Sequence, residues 1–159
     1  MNHPIRRKDR AITEEEARDI LHQGEYGVLA TVDAGGQPYG VPLSYSIMDG
    51  ALYFHCATVG HKLNNLAANP AVSFTVVGPT QPVFDNGFST YYESAVVFGK
   101  ARKVTDDKEK RAALLDLARK YLPEHVDKAE EYTTRSFSHT DVYAVSIDAI
   151  TGKSKRKKA

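Results

Sequence analysis

The stretch LYFHCATVGHKLNNL, residues 52–66, gathers two histidines, a lysine and the lone cysteine of the chain where a strand pattern gives way to a helix pattern. In a strand here, Leu52, Phe54 and Cys56 share one face and Tyr53, His55 and Ala57 the other. With Phe54 turned to the core, His55 is presented outward, with an imidazole suited to proton transfer near neutrality. The helix that follows, HKLNNLAAN, starts after Gly60 and ends at Asn69-Pro70. A helix start offers unpaired N–H donors and partial positive charge, and His61 and Lys62 add to both. Gly60 permits close approach, so the combination favours a phosphate.

A second candidate surface precedes it. From Tyr39 to Ile47 the alternation places Tyr39, Val41, Leu43, Tyr45 and Ile47 on one face and Gly40, Pro42, Ser44 and Ser46 on the other. The second face has no bulk, and Pro42 removes a backbone donor, which favours an edge or a bulge. A flat ring could lie against this main chain while its phosphate reaches Gly60–Lys62, with His55 between. Flavin mononucleotide (FMN) and pyridoxal phosphate both have that shape. The latter needs a lysine aimed at its aldehyde, and Lys62 is already the natural phosphate partner.

The elements that must hold these residues are mostly strands. TEEEARDILHQG reads as a short helix, with Thr13 and Glu16 in a capping box and Gly24 at its end. Then YGVLATVD, PYGVPLSYSIM, ALYFHC, AVSFTVVG, STYYESAVVFGKARKV and DVYAVSIDAI alternate as strands, with Asp33–Gly36 and Asp49-Gly50 as hairpin turns and Gly99 as a bend. TDDKEKRAALLDLARKYLP is a helix that Thr105 caps and Pro123 stops. Tight turns between successive strands make the sheet antiparallel, and closure into a barrel hides its edges. The expected fold is mainly β (α+β), a six-stranded antiparallel barrel with peripheral helices.

The 159 residues, 42% of them hydrophobic, fit one domain of residues 1–150 followed by a basic tail, 151–159. Net charge is +1, but residues 11–150 carry 12 cations against 19 acids, so the basic charge is concentrated at the two ends. An acidic body and a tail without aromatics argue against nucleic-acid binding. No apolar run reaches the length of a membrane span, no signal-peptide pattern opens the chain, and Cys56 has no intrachain partner; a cytoplasmic protein is the expectation. HExxH, CxxC, GxSxG and GxGxxG are all absent, which disfavours a metal site, a serine hydrolase and a resident dinucleotide fold.

The segments PYGVPLSY, FHCATVGHK, SAVVFGKAR and ITGK, in this order along nearly the whole chain, resemble the pyridoxamine 5′-phosphate oxidase-like split-barrel flavoproteins, and among them the nitroimidazole-resistance proteins. The resemblance implies a homodimer with two FMN sites at the subunit interface. It implies that Pro42, Leu43, Ser44 and Tyr45 meet the ring through backbone, that His55, Cys56 and Ala57 line it, and that His61 and Lys62 hold the phosphate. Ser94 and Val96 would approach a flavin across the interface, Lys153 would contact cofactor or partner, and His55 would be the catalytic residue. The implied activity is NAD(P)H-linked reduction of nitroaromatic or quinone-like compounds. The alternatives are a non-catalytic flavin- or haem-binding protein and a pyridoxamine 5′-phosphate oxidase-related enzyme. The arginine-rich phosphate strand and C-terminal arginine motif of true pyridoxamine phosphate oxidases are absent.

Overall fold

The computed structural model describes residues 4–84 and 86–156. Eight strands and four α-helices follow in the order α1 (Glu14–Gln23), β1 (Gly27–Val32), β2 (Pro38–Leu43), β3 (Ser46–Met48), β4 (Ala51–Cys56), α2 (His61–Ala68), β5 (Ala71–Phe84), β6 (Phe88–Lys103), α3 (Asp107–Tyr121), α4 (Val126–Ser136), β7 (Asp141–Ser146) and β8 (Ala149–Lys155). All pairings are antiparallel, as expected, and run β2-β1-β5-β6-β7-β4-β3, with β8 beside β6.

The strand count rises from six to eight for two physical reasons. The run that alternates as one strand over 39–47 breaks at Ser44-Tyr45: β2 pairs with β1, whereas β3 pairs with β4. The two ends of the pairing path are therefore consecutive in sequence, and the barrel is split where they join. The second addition is β8. Thr151–Lys155, counted above with the tail, pair along β6 in line with β7. Residues 157–159 of that tail lie outside the described residues.

The core fills the barrel. Leu29, Leu52, Phe54, Phe74, Val76 and Val97 are fully buried inside it, and α1 closes one side with Ala17, Ile20 and Leu21. The capping box of α1 forms as expected: Thr13 Oγ1 accepts from the Glu16 N–H (3.2 Å), and Glu16 accepts from the Thr13 N–H (2.9 Å). A smaller core of Tyr53, Val104, Ala113, Val142 and Ala144 joins α3 to the β4–β7 face. Asp106, rather than Thr105, caps α3, accepting from the Glu109 N–H at 2.8 Å. Glu109 in turn accepts from the Tyr53 hydroxyl (2.8 Å) and from Arg102 (2.5 Å). Burial, then the Glu109 contact, pushes the Tyr53 phenol up to about 12, so it stays a donor. Sequence patterning points to no helix after α3; α4 is an addition, anchored by the buried Ala129 and Thr133.

Gly99 marks the point where β6 exchanges partners. Before it β6 runs beside β8, after it beside β7. A Cβ at Gly99 would stand 1.7 Å from the Ser146 carbonyl oxygen, so only glycine lets the kinked β7–β8 segment cross here. We predict that Gly99→Ala costs about 3 kcal/mol through overpacking, read as a lower urea midpoint with little change in slope.

Candidate functional site

The split in the barrel is also where the candidate residues begin. Beyond Leu43 the backbone of Ser44-Tyr45 has no strand partner, yet buried N–H and C=O groups must be paired. Tyr121, at the end of α3, meets that need. The Tyr45 N–H donates to its hydroxyl (3.0 Å), which donates to the Glu25 carbonyl (2.6 Å) and lies 3.1 Å from the Tyr45 carbonyl. The Tyr45 ring turns inward, edge-on to Phe74 at 4.9 Å, and its hydroxyl donates to the Leu21 carbonyl. Lys120 covers the other side of the Tyr45 ring at 3.7 Å. Tyr45, with no exposed surface and its main chain against Tyr121, offers a ligand no direct contact, while Ser44 and Pro42 are exposed. The Ser46 hydroxyl, fully buried just past the split, has no partner among the described residues.

Helix α2 is set by a buried contact at its far side. Asn65, 2% exposed, donates to the Thr31 hydroxyl at 2.9 Å and so pins α2 to β1. At its start, the His61 ring lies 4.3 Å from that of Tyr39. No side chain caps this end. Gly60 takes φ +152°, and a Cβ there would meet nothing within 4 Å, so space lies open before the helix. Lys62 is half-buried alongside.

His55 and Ala57 present exposed edges at the end of β4, and Cys56 points inward, 8% exposed. His55 stands in a recess whose walls displace water. That desolvation, with the Lys62 charge second, pushes its pKa below the ordinary imidazole value. Burial pushes the Cys56 thiol up, which keeps it protonated and makes it a poor nucleophile. Ser44, His55, Cys56 and Ala57 form the floor of a cavity of about 580 Å³. Its roof is α3 and α4, through Leu117, Ala118 and Leu122, then Ala129, Tyr132 and Thr133. Sequence reasoning read the α3 half of this roof as a helix and missed the α4 half; the spacing of Val126, Ala129 and Thr133 was the one helical signal available for α4.

Ser94, Val96 and Lys153 are not in that cavity. They line a separate one of about 300 Å³ with Pro4, Ile5 and Arg6. The registers still relate the two groups. Pro42 pairs with Val28, Val28 with Thr75, Thr75 with Val96, and Val96 with Thr151. Directly paired residues share a face, so Pro42 and Val96 lie in one row on the outer face of the barrel, three strand spacings or about 14 Å apart. The next row holds Gly40, Ala30, Ser73 and Phe98. Small and β-branched residues make this a flat outer shelf. No group of three or more His, Cys, Asp or Glu placed to hold a metal ion occurs among the described residues.

Comparison with known proteins agrees with this architecture. The family model described as pyridoxamine 5′-phosphate oxidase matches residues 13–154, and the chain belongs to that family, with its split-barrel fold. A candidate 5-nitroimidazole antibiotic-resistance protein from Bacteroides thetaiotaomicron is similar, with 26% identity and a TM-score of 0.76 over 90% of this chain and 85% of that one. The flavocytochrome Anf3 from Azotobacter vinelandii shares 18% identity at a TM-score of 0.85, over 98% of this chain and 73% of its own. An FAD- and haem-binding protein from Mycobacterium smegmatis shares 23% at 0.79, over 91% and 72%. No curated protein matches the chain.

The charge environment makes a direct prediction. Folded His55 releases its proton more readily than the unfolded chain does. The linked stability is therefore present above the ordinary imidazole range and is lost as pH falls toward the folded value. In an NMR titration His55 should titrate below an exposed histidine, and Lys62→Met should move it part of the way back up, burial keeping the rest. No movement in Lys62→Met would mean that Lys62 does not act on His55.

Proposed function

We propose that this protein is an FMN-binding oxidoreductase, active as a homodimer, that takes electrons from NAD(P)H and passes them to nitroaromatic or quinone-like acceptors. The observation that carries the reading is the uncapped start of α2. Open space at Gly60, the free helix end and the half-buried Lys62 lie in one place, with His61 against Tyr39 of β2 and the Lys62 charge acting on His55. The residues fit an FMN. His61 and Lys62 would neutralise its phosphate, the main chain of Pro42, Leu43 and Ser44 would meet its ring, with Tyr45 buried behind that segment, and His55, Cys56 and Ala57 would line it. A bound flavin supplies the hydride and electron transfer.

The chain's own groups supply the rest. His55, with its lowered pKa, is neutral at physiological pH. One ring nitrogen then carries a proton for donation to an acceptor, and the other can take one up. Tyr121 holds the Ser44-Tyr45 main chain in place. The cavity roof faces His55 and removes part of its water, leaving one edge exposed.

The outer shelf supports a homodimer. Val28, Val77 and Tyr26 are large apolar side chains exposed at 37%, 57% and 58%, a surface that packing against a second copy would bury. A two-fold arrangement brings Ser94, Val96 and Lys153 of one copy to the Pro42 region of its partner, joining the two groups of site residues that one chain keeps apart. The reading carries a cytoplasmic location; among the described residues no helix is long and apolar enough to cross a membrane. The haem-binding character of two similar structures keeps one further outcome in view, a haem in place of the flavin.

The freshly purified protein should be yellow, dimeric by light scattering, and bleached by NADH or NADPH without air. Lys62→Ala should weaken FMN binding roughly tenfold or more through loss of a charge-assisted contact. His55→Ala should lower kcat per bound FMN. A colourless protein that takes up no added FMN overturns the reading, and a Soret band replaces it with haem.

A further inference from the structure

The cavity roof contains none of the residues assigned above to the cofactor, and its chemistry differs from that of the α2 start. Leu114, Leu117, Ala118, Leu122 and Ala129 make the wall mostly apolar, and no Asp, Glu, Lys or Arg lines it. The nearest cation of α3, Lys120, is turned onto the Tyr45 ring instead. A phosphate would be stripped of water here with nothing to replace it, a heavy desolvation penalty. The nucleotide end of any ligand is directed to Lys62, and this cavity is left for something uncharged.

The polar groups that do line it are hydroxyls and imidazoles. Ser136 is already committed to the Tyr132 carbonyl at 2.9 Å. Tyr132, Thr133, Thr140 and His139 sit in the wall on the roof side, and His55 on the floor. These are donors for carbonyl or other oxygen acceptors on a ligand. About 580 Å³ falls within the range of small-molecule pockets, roughly 300–1,000 Å³.

The hollow has a structural cause. Helix α4 packs mainly on α3 rather than on the sheet. It is held there by Arg111 with Glu130 and Thr134 (each 3.1 Å) and by Lys110, which donates to the Phe137 carbonyl (2.7 Å) and lies 4.1 Å from the Phe137 ring. These ties lie between the two helices and leave the space between α4 and β4 unfilled.

We propose that the space between His55 and the α3–α4 hairpin is a binding site for an uncharged, ring-bearing apolar molecule with oxygen acceptors, the chemistry of a quinone, and that α3 and α4 select it. This rests on the proposed function only in identifying that molecule as the electron acceptor; binding itself is independent of it. An anionic ligand of the same shape is disfavoured, because the wall offers no counter-charge.

Calorimetric titration of the purified protein tests this with duroquinone, which has no thiol-reactive ring position, and with methyl naphthoate against naphthoate, alike in ring but not in charge. Duroquinone and the ester should bind, and naphthoate at least roughly tenfold more weakly. Ala118→Phe and Leu122→Trp, which fill the space from a half-buried and an exposed position, should each lose at least roughly tenfold in affinity while the visible spectrum and melting temperature hold. Equal affinity in both filled variants, or naphthoate binding as well as its ester, overturns the proposal. If the protein holds no flavin but still binds duroquinone and loses it in the variants, the cavity assignment stands and the proposed function falls. A yellow protein that binds neither neutral probe overturns the cavity assignment and leaves the flavin reading standing.

Discussion

The barrel closes at Ser44-Tyr45 through side chains, where strand pairing stops. Backbone amides cut off from both water and ladder are costly, and the fold meets that cost with one hydroxyl, that of Tyr121, shared among Tyr45 and Glu25. The consequence reaches in several directions. Helix α3 must end where it does, so that Tyr121 arrives at the split. Tyr45 must turn its ring into the core. What remains outward is a strip of main chain beside Ser44 that no bulky group covers. An exposed peptide surface of this kind suits a planar ligand, and it exists because the barrel is incomplete.

Strand β6 links this strip to the rest of the molecule. It pairs with β5 along most of its length and with β8 and then β7 on its other edge, exchanging one for the other at Gly99. That exchange turns β7 away to meet β4, whose end carries His55. The same strand holds Ser94 and Val96 on the outer shelf. Charge is arranged with equal economy: the cations near the site collect at the start of α2, while the cavity above His55 has none.

Much of this was legible in the residues. The capping box at Thr13 and Glu16, the turn at Asp49-Gly50, the inward run of Leu52, Phe54 and Cys56, and the helix between Gly60 and Asn69 are local signals, and the structure agrees with each. The departures come from long-range contacts. Alternation over 39–47 continues smoothly in sequence, but Ser44-Tyr45 leave the ladder because Tyr121, 76 residues away, supplies their hydrogen bonds. Ser46, on the small-residue face by alternation, is consequently buried. β8 was obscured by its lysines, which run along a strand that packs against β6. Helix α4 buries only the small Ala129 and Thr133, so its inward stripe is faint in the sequence. The α3 half of the cavity roof was legible as a helix, and the α4 half was not.

The way α4 is attached has a consequence for how such a protein can change over generations. Beyond the buried Ala129 and Thr133, its ties are one surface ion pair, two side-chain hydrogen bonds and one aromatic contact, each weakly stabilising, and barrel closure does not depend on them. Substitutions along α4 can therefore accumulate without threatening the fold, whereas those at Gly99 or Tyr121 cannot. The molecule separates a rigidly constrained chassis from a more freely adjustable visor, whose eleven residues, apart from the buried Ala129 and Thr133, are open to change.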